Sequence, residues 1–189
     1  NRILFKELEN KSKPQKALIV LGARRVGKTE LIKKYLQNIP ISEYVLYNGE
    51  SQMAKDAFSE TNIAALKRTV GNRKILVIDE AQAIEKIGLK IKLMIDEIEG
   101  IQVIISGSSV FDLNNQLGEP LVGRSHVLQL FTLAQMEIGE FETYPQTIEN
   151  LEDRLLFGSY PELVNIRDRE EKIDYLEGMV NSYLLKDIL

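Results

Sequence analysis

The chain has no cysteine, no tryptophan and a single histidine, His126, in 189 residues. Without thiols it builds neither a disulfide nor a thiolate zinc site, and one imidazole is too few for a nucleophilic triad or a histidine-rich metal centre. A reducing, cytoplasmic setting is expected. Apolar runs such as Ala17 to Leu21 and Ile75 to Ile78 are strand-sized, far below the ~20 residues that cross a bilayer. No membrane-spanning helix is expected, and no internal repeat, low-complexity tract or Gly/Ser linker is visible. An initiator methionine and a charged-then-apolar leader are missing as well, and Leu189 falls inside a helical pattern. The sequence therefore reads as a piece of a longer protein.

What is present is 44% hydrophobic and 28% charged, a composition that fills one core and excludes disorder. Charge is unevenly spread: residues 1–50 hold ten Lys/Arg against five Asp/Glu, whereas residues 131–189 hold five against thirteen. A basic front end suits a polyanionic ligand the size of a nucleotide. The acidic tail does not read as a nucleic-acid footprint.

Strand-like runs alternate with amphipathic stretches. Ala17–Leu21 precedes a helix over about Thr29 to Asn38, which stops before Pro40, and Tyr44–Tyr47 follows. A helix near Thr61 to Val70 leads through Gly71-Asn72 into Lys74–Ile78, apolar on both faces as in the middle of a parallel sheet. A helix from Leu89 to Ile98, a strand at Gln102–Ile105, a short helix near Val110 to Leu117 and a strand at His126–Leu130 complete the rhythm. It predicts a doubly wound α/β sheet, a three-layer sandwich with mostly parallel strands, over residues 1–132. From Leu133 the pattern is wholly helical, with Phe141, Leu151, Leu155, Leu156, Ile173, Leu176, Val180 and Leu184 at three- and four-residue steps. Residues 133–189 are expected to form a helical lid segment, with Met and Tyr residues on core spacing.

The first strand runs into Gly22-Ala-Arg-Arg-Val-Gly27-Lys28-Thr29, which matches G-x-x-x-x-G-K-[ST] between a strand and a helix. Glycines at 22 and 27 let the backbone curl into an amide-lined nest, and the helix N-terminus adds positive partial charge. Phosphate oxygens fit that nest. Lys28 supplies a point charge to the β and γ oxygens, worth roughly 4 kcal/mol at 4 Å under an effective dielectric near 20. Thr29 offers a hydroxyl to Mg2+. Gly22, Arg25, Val26, Gly27, Lys28, Thr29 and Glu30 are the expected nucleotide-binding set; Arg24 and Arg25 are expected to turn outward.

Ile75-Leu-Val-Ile-Asp79-Glu80-Ala-Gln82 ends a buried strand in two carboxylates, where ligands of parallel sheets gather. Asp79 is assigned to Mg2+. Neighbouring residues leaving a strand point apart, so Glu80 faces the γ-phosphate and activates water, which separates hydrolysis from simple transfer. Ser106, in Ser106-Gly-Ser-Ser109, is placed to hydrogen-bond the γ-phosphate or the lytic water, while Ser108 or Ser109 caps the next helix. Arg124, in Leu121-Val-Gly-Arg124, reads either as an arginine finger, in its own site or a neighbour's, or as a surface ion pair.

Together these segments make the chain similar to the prokaryotic AAA-like P-loop ATPases that join an ATPase core to a C-terminal domain of uncharacterised function. The resemblance rests on Gly-Ala-Arg-Arg-Val-Gly-Lys-Thr at 22–29, Ile-Asp-Glu-Ala-Gln at 78–82, Ile-Ser-Gly-Ser-Ser at 105–109 and Leu-Val-Gly-Arg at 121–124. Gly158-Ser-Tyr-Pro-Glu162 resembles the family's Gly-Gly-x-Pro-Glu turn, and Tyr183-Leu-Leu-Lys-Asp-Ile188 the end of its bridging helix. Ser159 stands for a usual Gly and Lys186 for a usual Arg. The resemblance covers about residues 2–188. It implies that the polar-ended strand neighbours the loop-bearing one, that a helical lid follows, that Mg-ATP is the ligand, and that a C-terminal domain lies beyond this sequence.

The expected activity is Mg-dependent ATP hydrolysis coupled to movement between residues 1–132 and 133–189. Two alternatives remain open: a nucleotide-gated binding module with little turnover of its own, and a small-molecule kinase. No N-K-x-D segment for reading guanine is present, and ATP is preferred by resemblance. Expected partners are ATP or ADP, with self-association or a protein partner, and nucleic acid only through the absent domain.

Overall fold

The computed structural model describes residues 2–108 and 121–184. Residues 2–130 form one compact unit and residues from Phe131 onward a second.

In the first unit, helix α1 (Leu4–Lys11) precedes strand β1 (Lys16–Leu21), helix α2 (Lys28–Leu36) and strand β2 (Tyr44–Asn48). Helices α3 (Gln52–Ala57) and α4 (Ile63–Val70) lead to strand β3 (Ile75–Asp79), helix α5 (Ile87–Glu97), strand β4 (Gln102–Gly107) and strand β5 (Ser125–Gln129). The strands lie in the order β2–β3–β4–β1–β5, and every pairing is parallel. The parallel α/β sheet is the one expected from the alternation, and β4 lies between β1 and β3, the neighbouring of polar-ended and loop-bearing strands that the family resemblance implied. The expected helix near Val110 to Leu117 lies outside the described residues. Helices α1 and α3 have no counterpart in the sequence reading.

Burial follows strand position. β1 buries Ala17 to Leu21 without a break, β3 buries Ile75 to Ile78, and β4 buries Val103 to Gly107, whereas the edge strands β2 and β5 stay largely open. Continuous Ile/Val/Leu runs are what a strand covered on both faces requires. One face carries Ile19, Leu76, Ile78, Val103 and Ile105, packed with Phe58, Leu66, Ile91 and Met94 of α3 to α5 and the turn between them. By the period-two alternation of strands, Leu18, Val20, Val77 and Ile104 point the other way, and Leu8 of α1 with Ile32 and Leu36 of α2 are buried outside that cluster. Each such side chain contributes about 1.5–3 kcal/mol by leaving water.

Helix ends are locally encoded. Ser51 accepts from Ala54 N at 3.1 Å and Asn62 from Ala65 N at 2.9 Å, each satisfying a first-turn donor. The start of α2 has no side-chain cap.

The second unit consists of short helices α6 (Gln135–Ile138), α7 (Tyr144–Glu149) and α8 (Leu151–Phe157), then α9 (Arg169–Met179) running into a π-helical turn at Val180–Leu184. Asp168 caps α9 by accepting from Glu171 N at 3.0 Å. Asp153 pairs with Lys172 at 2.6 Å and Arg169 at 2.7 Å, and Arg154 pairs with Glu142. The residues on core spacing are mostly not core: Phe141, Leu151, Leu155, Leu156, Ile173 and Val180 are exposed, as are Met136 and Tyr144. Periodicity reports which residues share a helix face and not whether that face is covered. No described helix is long and apolar enough to cross a membrane.

Candidate active site

The loop from Gly22 to Gly27 owes its shape to two glycines acting in different ways. At Gly22 the constraint is space, since an added Cβ lands 2.3 Å from the Leu130 carbonyl oxygen. Leu130 is itself tied down by donating to Leu21 O at 2.7 Å. At Gly27 the constraint is conformation: φ is 98°, and nothing lies within 4 Å of where a Cβ would stand. Arg25 also adopts positive φ, 62°, and Val26 between them is buried and anchors the loop. The uncapped N-terminus of α2 leaves its first-turn amides available to an anion.

Lys28 opens that helix, and its side chain is only 3% exposed. Its ammonium donates to Gly22 O at 3.0 Å and Ala23 O at 3.1 Å, and lies 3.9 Å from Glu80 Oε1. Burial pushes its pKa below the ordinary lysine value; Glu80 and then Asp79 oppose the shift, and Arg24 adds to it. A desolvated cation resting on neutral carbonyls is a strong attractor for a multiply charged anion, because a low-dielectric setting amplifies the pairing.

Strand alternation sets the opposite wall. Asp79 shares the α2 side of β3 with Val77, and Ser106 shares the α2 side of β4 with Ile104. Both therefore meet Thr29 in the first turn of α2. Thr29 Oγ1 donates to Asp79 Oδ2 at 2.6 Å, and the fully buried Ser106 hydroxyl donates to Asp79 Oδ1. Ser106 Oγ in turn accepts from Glu80 N at 3.3 Å. Glu80 sits in the left-handed region, φ 51° and ψ 48°. For a non-glycine residue that conformation costs about 1–2 kcal/mol. The Glu80 carboxylate faces Lys28 and Gln82, whose Nε2 donates to Glu80 Oε2 at 2.6 Å.

A carboxylate beside a hydroxyl, as in Asp79 and Thr29, is a donor pair of the kind Mg2+ uses. That ion takes one or two protein oxygens and fills its shell with phosphate and water.

The structure gathers Gly22, Arg25, Val26, Gly27, Lys28, Thr29, Asp79, Glu80 and Ser106 at the carboxyl edge of β1, β3 and β4. Glu30 follows Thr29 in α2, but its carboxylate is exposed and pairs with Lys33 at 2.9 Å, so only its backbone belongs to the first turn. Arg124 is not brought to this site. It immediately precedes β5, where its carbonyl accepts from Ala17 N at 2.9 Å and its Nε bonds Asp96 Oδ1 at 2.8 Å. That is the opposite end of the sheet, about 16 Å away along a five-residue strand. The surface ion pair considered for it is the arrangement observed. Gln82 and Gly49, whose amide donates to Asp79 O at 2.8 Å, were given no role by the sequence reading. Gln82 stood inside the Ile-Asp-Glu-Ala-Gln segment, but only the turn after Glu80 reveals that it folds back.

A family profile described as an AAA domain matches residues 14–139, which contain every residue gathered at the site. An uncharacterized protein of Methanocaldococcus jannaschii is 23% identical over 201 aligned positions, covering 100% of this chain. The chain spans 45% of that relative's length.

Proposed function

We propose that this chain, which belongs to the AAA domain family, binds ATP with Mg2+ and hydrolyses it to drive a conformational switch between the sheet core and the helical segment after it, in a cytoplasmic setting. The observation that carries the reading is the division of labour between two adjacent carboxylates. Asp79 is bonded to the Thr29 hydroxyl, while Glu80 faces Lys28 and Gln82.

In this reading Lys28 exchanges its bonds to the Gly22 and Ala23 carbonyls for phosphate oxygens, and the amides of the loop and of the first turn of α2 close around them. Thr29 and Asp79 would hold Mg2+, which when bound offsets the charge of the β- and γ-phosphates. Ser106 keeps Asp79 oriented by its hydrogen bond. Glu80 accepts the proton of the attacking water as its oxygen bonds to the γ-phosphorus and ADP departs. General-base catalysis of this kind contributes about 10²- to 10⁴-fold in rate.

Glu80→Gln tests it directly. ATP affinity stays within a few-fold of wild type while phosphate release falls by at least about 10²; release at the wild-type rate removes Glu80 from the mechanism. The position of Arg124 favours a second reading, a nucleotide-gated latch whose turnover waits for an arginine from a neighbouring copy. Specific activity that rises with protein concentration supports the latch, and flat specific activity excludes it.

A further inference from the structure

We infer that Gln82 is a positioning residue for this site, holding the Glu80 carboxylate in the orientation from which it acts. The inference deepens the reading of Glu80 as general base and rests on it. After the left-handed turn at Glu80 the chain makes a single 3-10 turn, Ala81–Ala83, closed by Ala83 N donating to Glu80 O at 3.1 Å. That turn carries Gln82 back over the residue two positions before it. Its Nε2 donates to Glu80 Oε2 at 2.6 Å and lies 3.4 Å from Ser108 Oγ beyond β4.

The Glu80 carboxylate is thus held at both ends, Oε1 by Lys28 at 3.9 Å and Oε2 by Gln82. A triphosphate entering the loop recruits the Lys28 ammonium. The contact that then keeps Glu80 from swinging into solvent, among the described residues, is the one from Gln82. The other end of the Gln82 carboxamide shapes the test. Its Oε1 is buried and has no hydrogen-bond partner among the described residues. Replacing Gln82 with methionine therefore deletes the donor to Glu80 without stranding a partner of that oxygen.

The experiment measures thermal unfolding, ATP affinity by calorimetry, and steady-state phosphate release in the wild-type chain, Gln82→Met, Glu80→Gln and the double variant. For Gln82→Met the unfolding temperature stays at the wild-type level, ATP affinity shifts in the same direction as in Glu80→Gln and by no more than that variant's few-fold change, and kcat falls at least tenfold. Glu80→Gln changes ATP affinity by removing a negative charge that faces the phosphates. In the Gln82→Met background that change shrinks at least threefold, because the released carboxylate no longer faces them.

A kcat within twofold of wild type, a joint fall of kcat, affinity and unfolding temperature, or strictly additive affinity effects overturns the inference. Should Gln82→Met fail to fold, Gln82→Glu keeps the size, sets a like charge against Glu80 and shows the same kcat loss; normal turnover in that variant is equally fatal. If the wild-type chain binds ATP without releasing phosphate yet the affinity coupling persists, the base role of Glu80 falls and the positioning stands. Turnover with neither coupling nor a kcat effect gives the reverse, and no ATP binding at all overturns both.

Discussion

Gly22→Ala puts the geometry of the phosphate loop to a quantitative test. The new Cβ arrives 2.3 Å from Leu130 O, 3.2 Å from Leu130 C and 3.1 Å from the Val26 Cγ2 methyl. Leu130 resists displacement because its amide donates to Leu21 O at 2.7 Å, and Val26 resists because it is buried at 1% exposure. Relief must come from moving backbone by about 1 Å, an overpacking penalty of about 1–3 kcal/mol. For a unit of this size the unfolding temperature then falls by about 3–10 °C, and ATP affinity falls with it because the loop itself is displaced. Gly27→Ala offers the contrast. No atom stands in the way, but a φ of 98° costs an L-residue about 1–2 kcal/mol. Asparagine tolerates left-handed backbone, so Gly27→Asn recovers part of the loss, whereas Gly22→Asn is worse than Gly22→Ala. Thermal denaturation with parallel calorimetry reads both effects. A Gly22→Ala chain that unfolds within 1 °C of wild type, or an asparagine that rescues position 22, refutes the reasoning.

Two further outcomes follow from groups away from the loop. Lys90 is buried at 3% exposure, donating to Glu85 O at 2.7 Å, and burial pushes its pKa below the ordinary lysine value, with Glu85 opposing. Between that lowered value and 10.5 the unfolded chain binds more protons than the folded one, so this group makes stability climb with pH across the window. Lys90→Met raises stability at pH 7 and flattens the climb, as urea unfolding at pH 7 and pH 10 will show; identical slopes contradict it. Arg124→Ala breaks the ion pair with Asp96, loses less than about 1 kcal/mol of stability, and leaves phosphate release per chain unchanged in dilute solution. A loss of turnover that emerges only as protein concentration rises places Arg124 in another chain's site.

The sequence made this wall of the candidate site legible because two short-range rules carry it. Strand-loop-helix punctuation located Lys28 and Thr29, and the end of a doubly buried strand located Asp79, whose side the period-two alternation then decides. Strand order followed from the family resemblance and not from periodicity, since parallel runs look alike wherever they sit. The close approach of Leu130 O to Gly22 and the return of Gln82 onto Glu80 depend on contacts that no local pattern encodes. The two readings of Arg124 stayed open for the same reason: a flexible glycine before a strand says that an arginine is free to reach, while the parallel register of β5 decides which end of the sheet it reaches from. In the helical unit the apolar spacing was real, but exposure at Leu155 and Phe141 shows that spacing alone does not say what covers a face.

The most direct measurement is a calorimetric titration of Mg-ATP into the wild-type chain and Lys28→Met. The account predicts saturable heat from one site in the wild type and a Kd at least about tenfold higher in the variant, since a desolvated ammonium is lost from the phosphates. Absence of heat in the folded wild type, or equal affinity in the two proteins, contradicts it.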